Sequence, residues 1–300
     1  MRIVVLGSAA GGGFPQWNSR GEGCQRARAG DPAALPRTQA GLAVSADGEH
    51  WFLLNASPDL REQIGRTTIL HPREGLRSSP IAGVVLTGGD VDVIAGLLTL
   101  RERQAFTLFA TPRIHAVLDA NTIFEVLSRD FVDRRTVELD QTVELGDGLT
   151  VELFAVPGKV PLYLEQRDAM PAIQTDDTTV AALISDGTRR LFFVPGCAAM
   201  TAGLADRLQD ADIVFFDGTL WRDDEMVSAG FGPKTGLRMG HMSLSGPDGT
   251  IEVFRQIHVR QKVIIHMNNS NPVLLADSPE RAEAEAAGWI VAHDGLEISL

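Results

Sequence analysis

LTGGDVDVIAGLLTLRE, residues 86–102, joins two different patterns at one turn. The apolar run ahead of it, Ile81-Ala82-Gly83-Val84-Val85-Leu86, has the length and apolar content of a buried strand. It stops at Thr87-Gly88-Gly89; Asp90 and Asp92 follow two positions apart, and an apolar segment with helical spacing begins. The stretch looks like a metal-site loop without its usual ligands. Asp92 ahead of Val93-Ile94-Ala95 reads as a helix N-cap. As hard oxygen donors on a short loop, the two aspartates also suit a divalent metal assisted by an imidazole.

Three other strand-like runs end in the same manner: VPGCA at 194–198, FFDGT at 215–219 and IIHMNNSNP at 264–272. Rigid strands position reactive groups and the loops beyond them leave room for a ligand, so the pattern predicts one shared cleft. Strand-like segments fall at 2–6, 40–45, 50–55, 81–87, 106–110, 136–138, 149–155, 179–185, 190–195, 213–217, 262–266, 289–292 and 296–299. Helical spacing fits 58–65, 92–103, 112–129, 201–209, 246–256 and 278–287, the last with Ser278 as N-cap, Pro279 at the first position and Gly288 beyond the end. Strands outnumber helices and Asp-Gly turns accompany helical connections. An α/β chain with two mostly antiparallel or mixed sheets is expected, rather than one doubly wound parallel sheet.

At 300 residues and 44% apolar content the chain can bury a sizeable core. Asp and Glu outnumber Lys and Arg by 39 to 27, a formal charge of −12, which argues against a nucleic-acid partner. No apolar window approaches the roughly 18 residues of a membrane span. The four-residue run Ile3–Leu6 is too short for a signal peptide, and Cys24 and Cys197 are the only cysteines, so a cytoplasmic address without a disulfide framework is expected.

Several motifs bear on chemistry. GSAAGGG at 7–13 nearly fits a dinucleotide fingerprint, but Phe14-Pro15-Gln16-Trp17 follows where a helix must open, so a tight turn beside the cleft is expected. His266 directly follows Val263-Ile264-Ile265 and needs a hydrogen-bond partner at the end of a buried strand, either as a structural ring or facing a ligand among Asn268, Asn269 and Asn271. In KTGLRMGHMSLSG at 234–246, Lys234 and Arg238 suit a carboxylate substrate, with His241 as proton donor or acceptor; an exposed charged loop is the plain alternative. Gly240-His241-Met242-Ser243 lacks the spacing of a serine-hydrolase elbow. Cys197 reads as a buried thiol, and Cys24 has no ligand partner within zinc spacing.

The stretches LGSAAGGGFPQWN (6–18), LLNASPDLR (53–61), HPREGLRSSPI (71–81), GLLTLRE (96–102), VPGKVPLYLE (156–165), FFDGT (215–219), KTGLRMGH (234–241), HMNNSNPVL (266–274) and DSPERA (277–282) resemble the pyrroloquinoline quinone (PQQ) synthesis protein B family of the metallo-β-lactamase superfamily. The resemblance spans essentially the whole chain. It implies a single domain over 1–300 with a four-layer αββα sandwich of mixed sheets and a cleft at one edge between them. In hydrolytic members the 88–93 loop reads His-x-His-x-Asp-His; here Gly88, Asp90, Asp92 and Val93 hold those positions.

The family's inferred activity is iron-dependent hydroxylation of the tyrosine ring in a glutamate–tyrosine unit cut from a precursor peptide. By resemblance, Fe(II) falls to Asp90, Asp92 and His266, a site weakened by Val93, while Lys234, Arg238 and His241 bind carboxylates or move protons. A small tyrosine-derived substrate and dioxygen are the implied partners; a homodimer stays open. Family members often carry Cys-x-Cys-x-x-Cys after Gln-Trp-Asn, whereas this chain has Ser19, Gly21 and Cys24, so no structural zinc is expected there. The rival reading is a non-catalytic carrier for PQQ or a late intermediate. A two-metal hydrolase or nuclease needs ligands that Gly88, Val93 and Lys159 do not supply.

Overall fold

A computed structural model describes residues 1–161, 163 and 173–300; within the VPGKVPLYLE stretch, residues 162, 164 and 165 lie outside the described residues. The strands, in chain order, are β1 (Arg2–Gly7), β2 (Gly41–Ser45), β3 (Trp51–Leu54), β4 (Ile81–Val85), β5 (Phe106–Ala110), β6 (Val132–Thr136), β7 (Thr142–Gly146), β8 (Leu149–Ala155), β9 (Val180–Ser185), β10 (Arg190–Val194), β11 (Ala211–Asp217), β12 (Val259–Ile265), β13 (Trp289–Val291) and β14 (Glu297–Ser299). They form two mixed seven-stranded sheets, ordered β14-β1-β2-β3-β4-β5-β6 and β13-β12-β11-β10-β9-β8-β7.

Alternation along the strands separates the layers. In the second sheet Leu191, Phe193, Ile213, Phe215, Val263 and Ile265 share a core with the first sheet. Phe192, Val194, Val214, Phe216 and Ile264 face the other way, onto Leu204, Leu208, Ile251, Phe254 and Ala284 of the outer helices. Leu60, Ile114 and Leu118 of helices Leu60–Arg66 and Pro112–Asp119 join the core of the first sheet. Helix, sheet, sheet and helix are thus stacked as the expected αββα sandwich. Among the described residues no helix is long and apolar enough to cross a membrane.

Some elements differ from the sequence pattern for local reasons. Helical spacing over 92–103 becomes a short α-helix, Val91–Ile94, and a 3-10 segment, Ala95–Leu100. At Gly96 the backbone runs so close to its neighbour that an added Cβ would lie 2.0 Å from the Ser57 carbonyl, while the Gly96 N–H donates to Ala56 O at 2.8 Å. The N-cap position is Asp90, without a side-chain capping bond, and Asp92 lies inside the helix; the N-cap reading of Asp92 is corrected. Helix 112–129 stops at Asp119, and 246–256 contracts to Thr250–Val253 behind a turn at Gly249. The strand expected at 136–138 lies at Val132–Thr136, paired to β5 from Phe106↔Val132 to Ala110↔Thr136. Helix Pro279–Ala286 forms with the anticipated caps: the Ser278 side chain accepts from Arg281 N, and Gly288 has φ +81°.

The four polar strand ends do meet. Gly88, Asp90, Asp92, Pro195, Gly196, Thr219, His266 and Asn268 line one cavity of about 330 Å³ at an edge between the sheets. The glycine-rich segment at 7–13 is the expected turn beside it, with φ +93° at Gly12 and +70° at Gly13, and Ala10 and Gly11 line the cavity.

Candidate functional site

Asp217 ends β11 on the inner face two residues beyond Phe215, in register with Ile265 of β12. It is wholly buried, 0% exposed. A buried carboxylate must find donors, and this one has four. Oδ2 accepts from Cys197 N at 2.9 Å and from His241 Nδ1 at 2.6 Å. Oδ1 accepts from Thr219 N at 3.0 Å and Thr219 Oγ1 at 2.6 Å. Burial opposes its charge, but the neighbouring His241 outweighs that penalty, and the acid is held below the usual carboxylate range.

His266 follows β12 with φ +60°, a left-handed conformation that costs a non-glycine residue about 1–3 kcal/mol. That turn sends the chain back across the first sheet: Met267 N donates to Ser8 O, and Ala10 N to Met267 O. The His266 ring is left between two partners. Its Nδ1 is 2.9 Å from Thr219 Oγ1, and its Nε2 is 3.2 Å from Asp92 Oδ2. Burial disfavours the charged His266 ring, but Asp92, with help from Asp217 and Asp90, raises its pKa above the ordinary value. Burial likewise opposes ionisation of Asp92, and His266 reverses the balance, lowering it.

His241 arrives from a separate loop. Helix Gly236–Met239 ends at Gly240 with φ +90°, and His241 N donates back to Gly236 O at 2.9 Å, the helix-ending motif that needs glycine. Met242 N then binds Cys197 O. The His241 and His266 rings stack with centroids 5.3 Å apart and 26° between planes. Gly196 flanks the other side of His241: a Cβ there would lie 3.5 Å from its Cε1.

Thus Asp90, Asp92, His266, His241 and Lys234 share the cavity wall, together with Lys159, which sequence reasoning did not assign. Arg238 lies in the same short helix but is not among the lining residues. Val93 also lines the cavity, and its Cγ2 would be 3.9 Å from a Cβ at Gly88, so the two altered loop positions adjoin. The missed residues are Asp217 and Thr219. FFDGT was visible as a polar strand end, but nothing local separated Asp217 from an ordinary strand terminator. Cys197 is buried, its thiol pushed up to about 12 by that burial, and it serves through its backbone N–H. Cys24 is buried with Sγ 3.6 Å from Asn269 Oδ1.

Asp217, His241 and His266 bring potential donor atoms within 4.8 Å of one another. The two oxygens of Asp217 are each already saturated by two donors, so this group is a hydrogen-bonded hub behind the cavity. Asp92 Oδ2 and His266 Nε2, with Asp90 beside them, are the carboxylate and imidazole donors on the cavity side; that set suits first-row metals such as iron or zinc.

An αββα sandwich with a histidine–aspartate site at one edge between its sheets defines a protein of the β-lactamase superfamily, and residues 50–267 match the family described as beta-lactamase superfamily domain. The chain is 61% identical to coenzyme PQQ synthesis protein B of Gluconacetobacter diazotrophicus, covering 99% of each, and 54% identical to that of Methylorubrum populi over 100% of each. The crystal structure of Zn(2+)-bound PqqB from Methylobacterium extorquens superposes with a TM-score of 0.97 at 54% identity, covering 100% of both chains. A diphosphatase of the PhnP family, 21% identical with a TM-score of 0.68 over 99% of this chain and 97% of its own, shares the fold. The chain belongs to the coenzyme PQQ synthesis protein B family, which ties it to the synthesis of that cofactor.

Proposed function

We propose that this chain hydroxylates the tyrosine ring of a small glutamate–tyrosine substrate during PQQ synthesis, using ferrous iron, dioxygen and an external two-electron reductant, so that one oxygen atom enters the ring and the other leaves as water. The observation that carries the reading is Asp92 and His266 joined at 3.2 Å on the wall of a 330 Å³ cavity whose lining also holds Lys159 and Lys234. Asp90, Asp92 and His266 would hold the metal. Ferrous iron, when bound, supplies the one-electron chemistry that dioxygen requires. The crystal structure of the Methylobacterium extorquens relative is of a zinc-bound protein, which supports metal binding within this family.

The chain's own residues account for the rest. The cavity volume suits a small ligand. Lys234 and Lys159 are among its lining residues and bring positive charge, which suits a substrate with free carboxylates. His241, anchored through Nδ1 to Asp217, turns its Nε2 away from that anchor and is the group that holds or moves a proton. The buried partner keeps the ring from reorienting between turnovers.

Reconstitution of metal-free protein with ferrous iron, followed by mass spectrometry of a glutamate–tyrosine dipeptide incubated in air with excess ascorbate as the two-electron reductant, tests the proposal. Oxygen addition to the ring is expected from the wild type and loss of nearly all of it in Asp92→Ala. Absence of product from the loaded wild type, or full turnover by Asp92→Ala, sinks the reading. One observation favours the carrier alternative: Val93 presents an apolar face to the cavity where an imidazole would strengthen the metal site. Val93→His distinguishes the two. Metal affinity and turnover rising together, each about tenfold or more, mark the present site as a degraded enzyme.

A further inference from the structure

We infer that Thr219 is a positioning residue: its hydroxyl links buried Asp217 to His266 and fixes the tautomer that presents His266 Nε2 to the cavity. The direction of each bond follows from the hydrogens available. A threonine hydroxyl has one to give and two lone pairs to receive. Four atoms lie within reach of Thr219 Oγ1: Asp217 Oδ1 at 2.6 Å, His266 Nδ1 at 2.9 Å, His241 Nδ1 at 3.1 Å and His266 O at 3.1 Å.

The single proton goes to Asp217. Two oxygens 2.6 Å apart repel unless a hydrogen lies between them, and an ionised acceptor makes the shorter, stronger bond. Both Asp217 oxygens face backbone groups that can only donate, Thr219 N at 3.0 Å on Oδ1 and Cys197 N at 2.9 Å on Oδ2, so the carboxylate serves as the acceptor. Once the hydroxyl has donated, it accepts, and His266 Nδ1 must bring its own hydrogen. The same logic applies across the hub, where His241 Nδ1 at 2.6 Å from Asp217 Oδ2 is the donor. Both rings are therefore protonated at Nδ1, and the lone pair of a neutral His266 sits on Nε2.

That nitrogen faces Asp92 Oδ2 at 3.2 Å. Asp92 and His266 would hold a metal from this side of the ring, through the carboxylate and that lone pair. Without the hydroxyl, the next acceptor for His266 Nδ1 is Asp217 Oδ1 at 4.0 Å, too far for a hydrogen bond. The neutral ring then settles with its hydrogen on Nε2, bound to Asp92, and both metal donors are tied up. Loss of such an orienting partner lowers metal affinity by about 10–100-fold. Thr219 is 4% exposed and borders the cavity, but its hydroxyl is engaged by Asp217 and His266, so it acts through His266.

The inference rests on the proposed reading only in taking the Nε2 side as the metal-facing side. The test compares wild type, Thr219→Val and Thr219→Ser in two measurements. Side-chain nitrogen–proton NMR of the metal-free proteins, at a pH where both rings are neutral, reads the tautomer. Competition with a chromogenic chelator reads zinc affinity. We expect Nδ1–H on His266 in wild type, a shift to Nε2–H with zinc bound about 10–100-fold more weakly in Thr219→Val, and recovery of both in Thr219→Ser. A neutral wild-type His266 protonated at Nε2, or Thr219→Val holding zinc within about twofold of wild type, overturns the inference. If Thr219→Val fails to fold, the wild-type tautomer and the serine variant decide. A wild type with the stated tautomer that binds neither zinc nor iron upholds the tautomer assignment and refutes the metal-dependent reading instead.

Discussion

Replacing Asp217 with Asn removes one charge and no volume, and the structure allows its cost to be worked out. The carboxylate accepts Cys197 N and His241 Nδ1 on one oxygen, and Thr219 N and Oγ1 on the other. An amide supplies one acceptor oxygen; its NH2 must face one of the two donor pairs. The Thr219 hydroxyl can rotate and His241 can change tautomer, but a backbone N–H cannot withdraw. Either orientation strands one buried N–H, about 1–3 kcal/mol, and forfeits charge-assisted bonds of comparable size. Removing a buried charge returns part of this, so a net loss of about 2–4 kcal/mol is expected, a large share of the roughly 5–15 kcal/mol of a whole domain. Urea unfolding of the metal-free protein, followed by tryptophan fluorescence, reads the loss as a midpoint lowered by about 1 M. An Asp217→Asn midpoint indistinguishable from wild type would show that the four bonds contribute no net stability and refute the hub.

Asp186 gives a pH test remote from the site: at the β9–β10 turn it accepts Thr188 N, Thr188 Oγ1 and Arg189 N at 2.8–2.9 Å. Burial opposes its charge, but the Arg189 and Thr188 bonds prevail and lower its pKa to about 2. A depressed acid stabilises the fold above its unfolded value near 4 and loses that contribution as pH falls toward 2, so Asp186→Asn should cost about 1–2 kcal/mol at pH 6 and progressively less by pH 3, read by urea titration. A penalty that does not shrink on acidification contradicts the assignment. Gly96→Ala forces a Cβ to within 2.0 Å of the Ser57 carbonyl, a backbone atom that cannot rotate away. The variant should lose at least about 2 kcal/mol and, because this turn carries Asp92, bind zinc more weakly in chelator competition; wild-type values in both measurements would refute the tight approach.

How far these features were legible in the sequence depends on how local their causes are. β4, β10, β11 and β12 announce themselves as short apolar runs broken by turns, and Ser278-Pro279 with Gly288 marks the last long helix. The shared cleft followed from where those strands end. Edge strands were harder. In β6 the residues Asp133, Arg134 and Arg135 carry charge, and β7 alternates weakly, so neither offers the apolar run that reveals a buried strand. Helix Gly236–Met239, four residues long, is too short to show a period. Asp92 read naturally as a cap because the cap and the first turn differ by only two positions, and only the backbone shows the helix starting at Val91.

The sequence by itself determined an α/β chain with two mixed sheets and the loop that carries Asp90 and Asp92, because each is written in neighbouring residues; the layered sandwich and the loss of imidazole at Gly88 and Val93 came from the family resemblance. Tertiary structure alone decided which side chains meet. Asp92, Asp217, His241 and His266 come from four separate segments, brought together by the parallel register of β10, β11 and β12 and by the packing of the two sheets. Whether Asp217 ends a strand or anchors a site depends on its four donors, two of them, Cys197 and His241, at least twenty residues away. Hydrogen bonds are set by distance in space, and distance in space between remote residues is a property of packing that no local pattern encodes.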